Sequence, residues 1–406
     1  MSGKYLALRN KRFFDLYNFV RRKNYERVPI AWLDLDTSPV ATLKEASRCD
    51  ISPPCFAQPA PVLQNDTPAI NLYCFKKAKV SSGLSAVWAG GDLYIDRNTN
   101  TENSRANYKA GPLKIFDENF CLLSKEEGEP SGEAEGGVLF LGGSGASNYY
   151  HWLIEILPKL CLLNEEVLKK WSITSILVDA SVSRLPNFRA SLDFVLEKLA
   201  LPLGVIIAPA GWGTYQNLYY INTFNNILFN SATGVIGAKD FYFSKNVLKI
   251  YMNLFRGAGG DVRSGMERIF LLREESSVSE YNKRTYNQDE IFTIFKNLGF
   301  VGVYVEKLSF QQQINLFASA SYIVGPSGAA WANIIFCEPK TRCLSWLNEA
   351  FRDFSVYSTL AAQAECDIRF LQCSLLRANE PHGAYVLDAV AVENFLAKEW
   401  LSLLAE

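Results

Sequence analysis

A histidine and a glutamate stand four residues apart in the segment 148–155, which reads Asn-Tyr-Tyr-His-Trp-Leu-Ile-Glu. At this spacing His151 and Glu155 lie on one face of a helix. Histidine is the side chain best suited to accept a proton near neutral pH, and a neighbouring carboxylate orients its ring. We therefore predict that His151 is a general base supported by Glu155. The alternative interpretation is a buried histidine with a satisfied hydrogen bond.

A second group of polar residues, closer to the C-terminus, suits an anionic ligand. Arg273 and Arg284 can bind phosphate oxygens through their planar guanidinium groups at any physiological pH. The turn 325–328, Gly-Pro-Ser-Gly, joins an apolar run to a segment of small and apolar residues. A strand, turn and helix of this kind present backbone N–H groups to an anion. Taken singly, each arginine also fits a surface ion pair, but together with the turn they predict a diphosphate site that needs no metal. The residues predicted to form this site are Arg273, Arg284, Asn287, Glu306, Gln313, Gly325, Pro326, Ser327, Gly328, Ala329 and Asn333.

The elements around these residues predict an α/β fold. The apolar run 138–141 and the glycine-rich turn 142–146 place a strand directly before the helix that bears His151. Arg273 and Gly325 each stand at the carboxyl end of a predicted strand, which is where parallel sheets bind ligands. Alternation of strands and helices predicts parallel, doubly wound sheets. Further strands are predicted at 176–178, 205–207, 268–273, 301–305 and 322–324, and helices at 148–163, 192–199, 243–255, 288–298, 310–320 and 389–404.

The N-terminal third has a different pattern. Residues 28–66 are rich in Pro, Thr and Ser and predict irregular structure, whereas 70–123 alternate apolar and polar positions, as short strands and hairpins do. Asp34 and Asp36 follow an apolar run in an Asp-x-Asp pattern that can hold a divalent cation beneath a diphosphate. Too little chain precedes them to build a nucleotide-binding unit, so an exposed turn is favoured. A metal-dependent transferase of the GT-A type remains the alternative.

The composition limits the kinds of protein that this sequence can encode. The chain has 406 residues, of which 49% are hydrophobic and 20% charged, so we expect a globular protein of two domains. A net charge of -1 gives no general attraction to nucleic acid. Nine cysteines without a Cys-x-x-Cys pair indicate reduced thiols in a cytoplasmic protein. Only two histidines are present, which excludes a metal site built from several histidines.

The N-terminal segment bears on membrane association. No apolar run reaches the roughly 18 residues that a membrane span needs. Residues 4–23 mix lysines and arginines with phenylalanines, leucine and valine. Such a basic amphipathic helix can lie on an anionic membrane surface, or it can pack on its own domain, which we favour.

Three segments resemble family 61 of the glycosyltransferases. Residues 148–158 match the family's Asn-Tyr-Tyr-His-Trp-Leu-x-Glu-x-Leu-Pro pattern. Residues 284–287, Arg-Thr-Tyr-Asn, resemble its Arg-x-x-x-Asn element with one residue fewer between the arginine and the asparagine. Residues 306–313 and 320–336 match its Glu-x-Leu-Ser-Phe-x-x-Gln pattern and its later Gly-Pro-His-Gly-Ala turn. Order and spacing agree across roughly residues 138–340. The chain departs from the family at Ser327, where a histidine usually stands. Serine can donate to a phosphate oxygen but cannot titrate.

The resemblance implies a GT-B-like fold of two Rossmann-type doubly wound domains facing a cleft, here with a strand-rich N-terminal region. It also implies an inverting glycosyltransferase without a metal or other cofactor, in which the C-terminal domain holds a nucleotide sugar and Glu306 accepts hydrogen bonds from the ribose. The acceptor is then a glycan or lipid-linked glycan, and Asn148, Tyr149 and Tyr150 lie on its side of the site. We expect an extension at 1–69, an acceptor-side domain at 70–239, a donor domain at 240–388, and a terminal helix at 389–406 that packs back on the N-terminal domain.

Relatives without a membrane span build bacterial capsule, exopolysaccharide or lipopolysaccharide. The expected location is therefore the cytoplasm, with peripheral association at the inner face of the plasma membrane left open, as is a homo-oligomer. Besides the GT-A alternative, a nucleotide- or sugar-binding assembly protein without turnover also fits the sequence. That protein would bind nucleotide without transferring sugar.

Overall fold

The computed structural model describes residues 25–56, 58–96, 111–116, 119–128, 135–227, 237–258, 266–274, 284–378 and 380–404. The predicted basic amphipathic start and most of the glycine-rich segment 257–265 lie outside these ranges.

The first half of the chain is built from strands, and four of them occupy the region 25–67. Irregular structure was predicted at 28–66, and that prediction is wrong. The proline, serine and threonine residues there do not prevent strands, because partners far along the chain supply the hydrogen bonds. The strands are β1 (Tyr25–Trp32), β2 (Ala41–Lys44), β3 (Ser47–Ile51), β4 (Leu63–Thr67), β5 (Ile70–Val80), β6 (Ala86–Ala89), β7 (Asp92–Ile95), β8 (Leu113–Phe116), β9 (Phe120–Ser124), β10 (Gly137–Leu141), β11 (Ile173–Val178), β12 (Gly204–Ile207), β13 (Gly213–Ile221), β14 (Asn226–Ile227) and β15 (Phe241–Tyr242).

The first sheet is mixed rather than parallel throughout. Its order is β12-β11-β10-β13-β5-β6-β7-β1-β9-β8, with β2 pairing on β5. Strands β12, β11, β10 and β13 run parallel, but β13 pairs antiparallel with β5, and most pairs beyond it are antiparallel. The α/β class is confirmed. The predicted parallel arrangement is present in β12, β11, β10 and β13, and antiparallel strands extend the sheet beyond them. The two-domain arrangement stays a prediction.

Helical segments cover one face of this sheet. The chain leaves β10 through the turn 142–146 into a π-helix, His151–Ile156, and then a 3₁₀ helix, Leu157–Leu162. Pro158 occupies the first turn of the 3₁₀ helix, where its missing N–H does no harm. Further helices are Glu165–Trp171, Ser181–Arg184, Pro186–Lys198 and Lys245–Asn253.

The second sheet is formed by the C-terminal part of the chain. Its helices are Gln288–Lys296, Phe310–Ser319 and Val356–Gln363, with 3₁₀ helices at Val305–Lys307, Ala329–Phe336 and Glu349–Phe351. Its strands are β16 (Arg268–Leu271), β17 (Val301–Val303), β18 (Tyr322–Val324), β19 (Arg342–Asn348), β20 (Asp367–Leu375) and β21 (Tyr385–Val386).

The strand order of the second sheet locates its ligand edge. The order is β17-β16-β18-β19-β20-β21, and all pairs but the last are parallel. The chain moves from β16 to β17 on one side and then returns to β18 on the other, so the direction of winding reverses between β16 and β18. Ligands of such sheets bind beyond the carboxyl ends of the strands at this reversal. Arg273 follows β16 there, and the turn 325–328 follows β18.

Buried side chains join the two sheets into one core. A single cluster contains Leu139 and Leu141 of the first sheet together with Leu271 and Ile323 of the second. The opposite face of the second sheet packs against Gln288–Lys296 and the terminal segment. The predicted domain boundaries at 70, 240 and 389 stay predictions.

The terminal segment packs on the second sheet. It is divided into the helix Ala389–Phe395, the π-helix Leu396–Trp400 and the helix Leu401–Leu404. The rings of Trp400 and Tyr322 lie 5.2 Å apart, and the Arg268 guanidinium donates to the Leu404 carbonyl at 2.8 Å. The expected return of this segment to the N-terminal domain is therefore wrong, because its apolar face is already covered here.

Candidate active site

His151 and Glu155 form a hydrogen-bonded pair, as their spacing predicts. His151 Nδ1 lies 2.6 Å from Glu155 Oε2, and the two side chains are 13% and 7% exposed. The other carboxylate oxygen, Oε1, accepts a hydrogen bond from the Ile227 backbone N–H at 2.9 Å. Glu155 is thus fixed at both oxygens. A carboxylate at Nδ1 places the ring hydrogen there, which makes Nε2 the nitrogen that accepts a proton.

The electrostatics of the pair favour proton uptake by His151. Burial lowers the pKa of His151, but the negative charge and hydrogen bond of Glu155 outweigh burial, so the pKa lies above its ordinary value. A base of raised pKa in a buried position holds a proton more tightly than a histidine in water. This is the property required of a group that removes a proton from a hydroxyl.

The glycine-rich turn after β10 sets the position of the imidazole. Gly145 has φ of +82°, and a Cβ there would lie 2.5 Å from His151 Cδ2. Gly145 therefore satisfies two requirements, a left-handed backbone and close approach to the ring. Exposed Asn148 caps the start of the helix, since its side-chain oxygen accepts from the Tyr150 N–H at 2.9 Å.

Arg273 joins the two strand ends of the second sheet. Its Nη2 donates to the Ser327 carbonyl at 2.7 Å, and its Nη1 donates to the Arg284 carbonyl at 2.8 Å. Gln288 accepts from the Arg273 backbone N–H at 2.8 Å and so fixes the segment after β16. Arg273 therefore holds the turn after β18 and the residue Arg284 together at the reversal of the sheet.

The turn itself is shaped by close packing. A Cβ at Gly325 would lie 2.5 Å from Leu271 Cβ, and one at Gly328 would lie 3.0 Å from Arg273 Nη2. The carbonyl of buried Pro326 accepts from the Trp331 indole N–H at 3.1 Å. Ala329 then begins the 3₁₀ helix, whose first backbone N–H groups lack partners within the helix.

Arg284 lies beside Arg273 at a small cavity. Burial and then the charge of Arg273 lower the pKa of Arg284, so two cations stand close together. A cavity of about 200 Å³ is lined by both arginines, Glu274 and residues 285–290, which include Tyr286 and the carboxylates Asp289 and Glu290. The Tyr286 hydroxyl is buried without a hydrogen-bond partner, although its ring stacks on Tyr385 at 5.2 Å. Two cations and an unsatisfied hydroxyl suit an anionic, oxygen-rich ligand.

A pair of tyrosines connects the two halves of the site. The Tyr150 ring lies 5.6 Å from the His151 ring and 5.9 Å from the Tyr357 ring. Burial raises the pKa of the Tyr357 hydroxyl, and the charges of Arg284 and Arg273 together with a hydrogen bond to the Ser327 side chain oppose this rise. Tyr150 itself is buried, and its hydroxyl has no partner. The histidine pair and the arginine pair therefore belong to one region.

Three residues that were predicted to contact a ligand form hydrogen bonds with one another instead. The Tyr149 hydroxyl lies 3.0 Å from Gln313 Oε1 and 2.9 Å from Asn333 Oδ1, and Asn333 Nδ2 donates to Gln313 Oε1 at 2.9 Å. Gln313 Nε2 donates to the carbonyls of Val305 and Leu308. Gln313 and Asn333 are buried, and these hydrogen bonds are to protein groups. These hydrogen bonds hold the helix of His151 against the second sheet.

Asn287 and Glu306, which were also predicted to contact the donor, lie at the edge of the candidate site. Asn287 uses its side-chain amide to bond both backbone groups of Leu387, at 2.9 and 3.0 Å, so it joins the start of its helix to the terminal segment. Glu306 is exposed in the 3₁₀ helix after β17. The structure brings neither side chain to His151.

His382 is a residue near the site that the sequence reasoning missed. Its ring lies 5.0 Å from the Phe351 ring, and burial together with the charge of Arg284 lowers its pKa. No pattern in the segment around it indicates this position, because 98 residues separate it from Arg284 in sequence.

Residues 149–344 match the family model described as Glycosyltransferase 61. The chain carries a glycosyltransferase family 61 domain. The matched range contains the histidine pair, both arginines and the turn after β18, whereas Gly145, Tyr357 and His382 lie outside it. An enzyme is thereby favoured over the alternative of an assembly protein without turnover. No curated protein matches the chain.

The Asp34 and Asp36 pair lies elsewhere in the glycosyltransferase. Both residues are exposed in the turn after β1, and Asp36 accepts from the Trp32 N–H at 2.6 Å. In the sheet order four strands separate β1 from β10. The predicted exposed turn is confirmed. Across the described ranges, no three His, Cys, Asp or Glu side chains gather as a metal site, and no helix has the length and apolarity to cross a bilayer.

Proposed function

We propose that this glycosyltransferase moves a sugar from a nucleotide-sugar donor to a glycan or lipid-linked glycan acceptor, with inversion and without a metal. The observation that carries the proposal is the position of Arg273, which bridges the two strand ends at the reversal of the second sheet. A diphosphate bound there would meet Arg284, the turn 325–328 and the start of the Ala329–Phe336 helix.

The charge pattern supports a diphosphate rather than a neutral ligand. Two adjacent arginines repel each other, which an anion between them relieves. Positive groups held in place also stabilise the charge that develops on a departing diphosphate. Arginines and backbone amides can supply this charge, so a metal is not required in the proposal.

His151 supplies the other half of the reaction. The acceptor hydroxyl oxygen attacks the anomeric carbon while Nε2 of His151 receives the hydroxyl proton. The bond between the anomeric carbon and the phosphate oxygen breaks, and its electron pair leaves on the nucleoside diphosphate. A direct displacement of this kind inverts the anomeric centre, and Glu155 stabilises the imidazolium that forms.

The resemblance to family 61 extends the proposal to the domain arrangement and the cellular location of the enzyme. We infer a GT-B-like arrangement in which the second sheet holds the donor and the first sheet holds the acceptor. A role in bacterial capsule, exopolysaccharide or lipopolysaccharide synthesis at the cytoplasmic face of the membrane is consistent with the residues of the site. Asn148 is exposed on the acceptor side of this arrangement.

Nucleotide binding tests the donor site. Isothermal titration calorimetry with a panel of nucleoside diphosphates should find one that binds the unaltered protein. Arg284→Ala should weaken that affinity about ten- to a hundredfold, because a charge-assisted phosphate contact contributes roughly 1.5–3 kcal/mol. Arg189→Ala is a matched control, since Arg189 is an exposed arginine that forms an ion pair with Asp193. Equal affinity of folded Arg284→Ala and the control would contradict the donor site.

A chelator tests the metal requirement separately. Transfer should persist in excess EDTA. Loss of transfer that manganese or magnesium restores would contradict the proposal and favour the GT-A alternative at Asp34 and Asp36.

A further inference from the structure

Tyr286 is a side chain at the candidate site to which the proposed reaction gives no role. It lines the cavity of about 200 Å³ together with Arg273 and Arg284. Its hydroxyl is buried and has no hydrogen-bond partner among the residues that the structure describes. Burying a hydroxyl without a partner is unfavourable, so a position of this kind in a native protein calls for an explanation.

Aromatic packing fixes the ring of Tyr286. The ring stacks on Tyr385, with the two centroids 5.2 Å apart and the planes 7° from parallel. The Trp346 ring lies 5.3 Å from the Tyr286 ring, and its indole N–H donates to the Tyr385 hydroxyl at 2.8 Å. Within this stacked pair, the Tyr385 hydroxyl is therefore satisfied inside the protein, whereas the Tyr286 hydroxyl is left to bind something else.

The backbone on either side of Tyr286 is held beside the arginines. Arg273 Nη1 donates to the Arg284 carbonyl at 2.8 Å. The Tyr385 backbone N–H donates to the Thr285 carbonyl at 3.0 Å. The two residues before Tyr286 are thus anchored to different parts of the second sheet, so the tyrosine and the two guanidinium groups keep fixed places around the cavity.

Three carboxylates among the described residues also line the cavity, and their charges are offset by other groups. Glu274 forms an ion pair with Lys307. Asp289 and Glu290 are exposed and stand in the first turn of the helix Gln288–Lys296, where the helix dipole favours negative charge. The half-buried arginines therefore still suit an anionic group inside the cavity.

We propose that Tyr286 is a donor-binding residue whose hydroxyl donates a hydrogen bond to a phosphate oxygen held by Arg273 and Arg284. Burial raises the pKa of this hydroxyl well above its ordinary value, so the hydroxyl keeps its proton and can donate it. A neutral donor beside two cations adds a directed contact without adding repulsion between positive groups. The assignment of the phosphate to a nucleotide sugar rests on the proposed function, whereas the binding of phosphate oxygens does not.

Tyr286→Phe tests the proposal, because it removes the hydroxyl and keeps the stacked ring. Inorganic pyrophosphate is the probe, since it carries phosphate oxygens without a base or a sugar. Calorimetry should show that the unaltered protein binds pyrophosphate and that Tyr286→Phe binds it about tenfold more weakly, as expected for one hydrogen bond to a charged group. The free variant should unfold at no lower temperature than the unaltered protein, because the lost hydroxyl has no partner inside it.

Tyr215 supplies the matched control. It lies in β13 of the first sheet, and its hydroxyl is also buried without a partner among the described residues. Tyr215→Phe therefore removes an equivalent group far from the arginines in the sheet order, and it should leave the affinity for pyrophosphate unchanged. Arg284→Ala should weaken pyrophosphate binding, which shows that the probe binds at the arginines.

Equal affinity of the unaltered protein and folded Tyr286→Phe for pyrophosphate would overturn the proposal. So would equal weakening by Tyr215→Phe, or a lack of pyrophosphate binding by the unaltered protein.

Failure of the proposed function gives a different result. If Tyr286→Phe weakens pyrophosphate binding but the protein binds no nucleoside diphosphate and transfers no sugar, Tyr286 keeps its role and the donor assignment fails. If the affinity for a nucleoside diphosphate falls in Arg284→Ala but not in Tyr286→Phe, the donor site stands and the role of Tyr286 is overturned.

Discussion

Gly145→Ala should separate the placement of His151 from the rest of the enzyme. The added Cβ would lie 2.5 Å from His151 Cδ2 and 2.6 Å from Cγ. Carbon atoms pack at about 3.5–4.0 Å, so the ring must move by about 1 Å. The backbone at φ +82° adds strain of roughly 1–2 kcal/mol for a residue with a Cβ.

The expected result is a loss of turnover without a loss of donor binding. A displacement of about 1 Å in a catalytic group can reduce the rate on the order of a hundredfold. The arginines and the turn after β18 are not contacted by Gly145, so nucleotide affinity should stay the same. The assays are kcat for transfer, calorimetric nucleotide affinity and the ¹⁵N signal of His151, which should shift.

A glycine elsewhere supplies the control for backbone strain. Gly90 has φ of +62°, and a Cβ there would meet no atom within 4 Å. Gly90→Ala therefore introduces a similar strain without a collision. It should lower the free energy of unfolding by a similar amount and leave turnover unchanged. Equal turnover of the Gly145 and Gly90 variants would refute the idea that Gly145 places the imidazole.

Two further outcomes follow from buried polar groups. Tyr149→Phe removes the hydroxyl that Asn333 Oδ1 accepts from, and leaving a buried acceptor unsatisfied should lower the free energy of unfolding by about 1–3 kcal/mol; an unchanged urea midpoint would contradict this. Burial and the charge of Arg284 lower the pKa of His382, so a diphosphate that neutralises Arg284 should raise it and cause proton uptake on binding. Nucleotide affinity should then increase as pH falls. Calorimetry in buffers of different ionisation enthalpy should detect proton uptake on nucleotide binding, and His382→Asn should reduce that uptake. Equal proton uptake by this variant would contradict the coupling between His382 and Arg284.

Local patterns in the sequence were sufficient for the centre of the site. The spacing of His151 and Glu155 and the strand before them required only residues within one turn and one strand, and the structure has both. The same is true of β16 and β18 with the segments that follow them. These elements could be predicted because apolar runs and glycine turns act over short distances.

Features that depend on distant partners could not be predicted in this way. Strands β1 and β2 depend on pairing with β5, β7 and β9 further along the chain, which their local composition does not show. Strands β3 and β4 pair with each other. Gln313 and Asn333 have side chains suited to a ligand, and only the position of Tyr149 shows that they contact one another. The same limit applies to His382, because its neighbour Arg284 comes from another part of the sequence.

The central claim is that His151 removes the acceptor proton, and His151→Asn tests it most directly. Asparagine remains polar but cannot take up a proton in the relevant pH range. Because positioned general-base catalysis contributes roughly 10²–10⁴-fold, transfer should slow by about that factor. Calorimetric affinity for the nucleoside diphosphate should match that of the unaltered protein, and its thermal unfolding should show that the variant is folded. A folded His151→Asn enzyme with near-normal turnover would contradict the account.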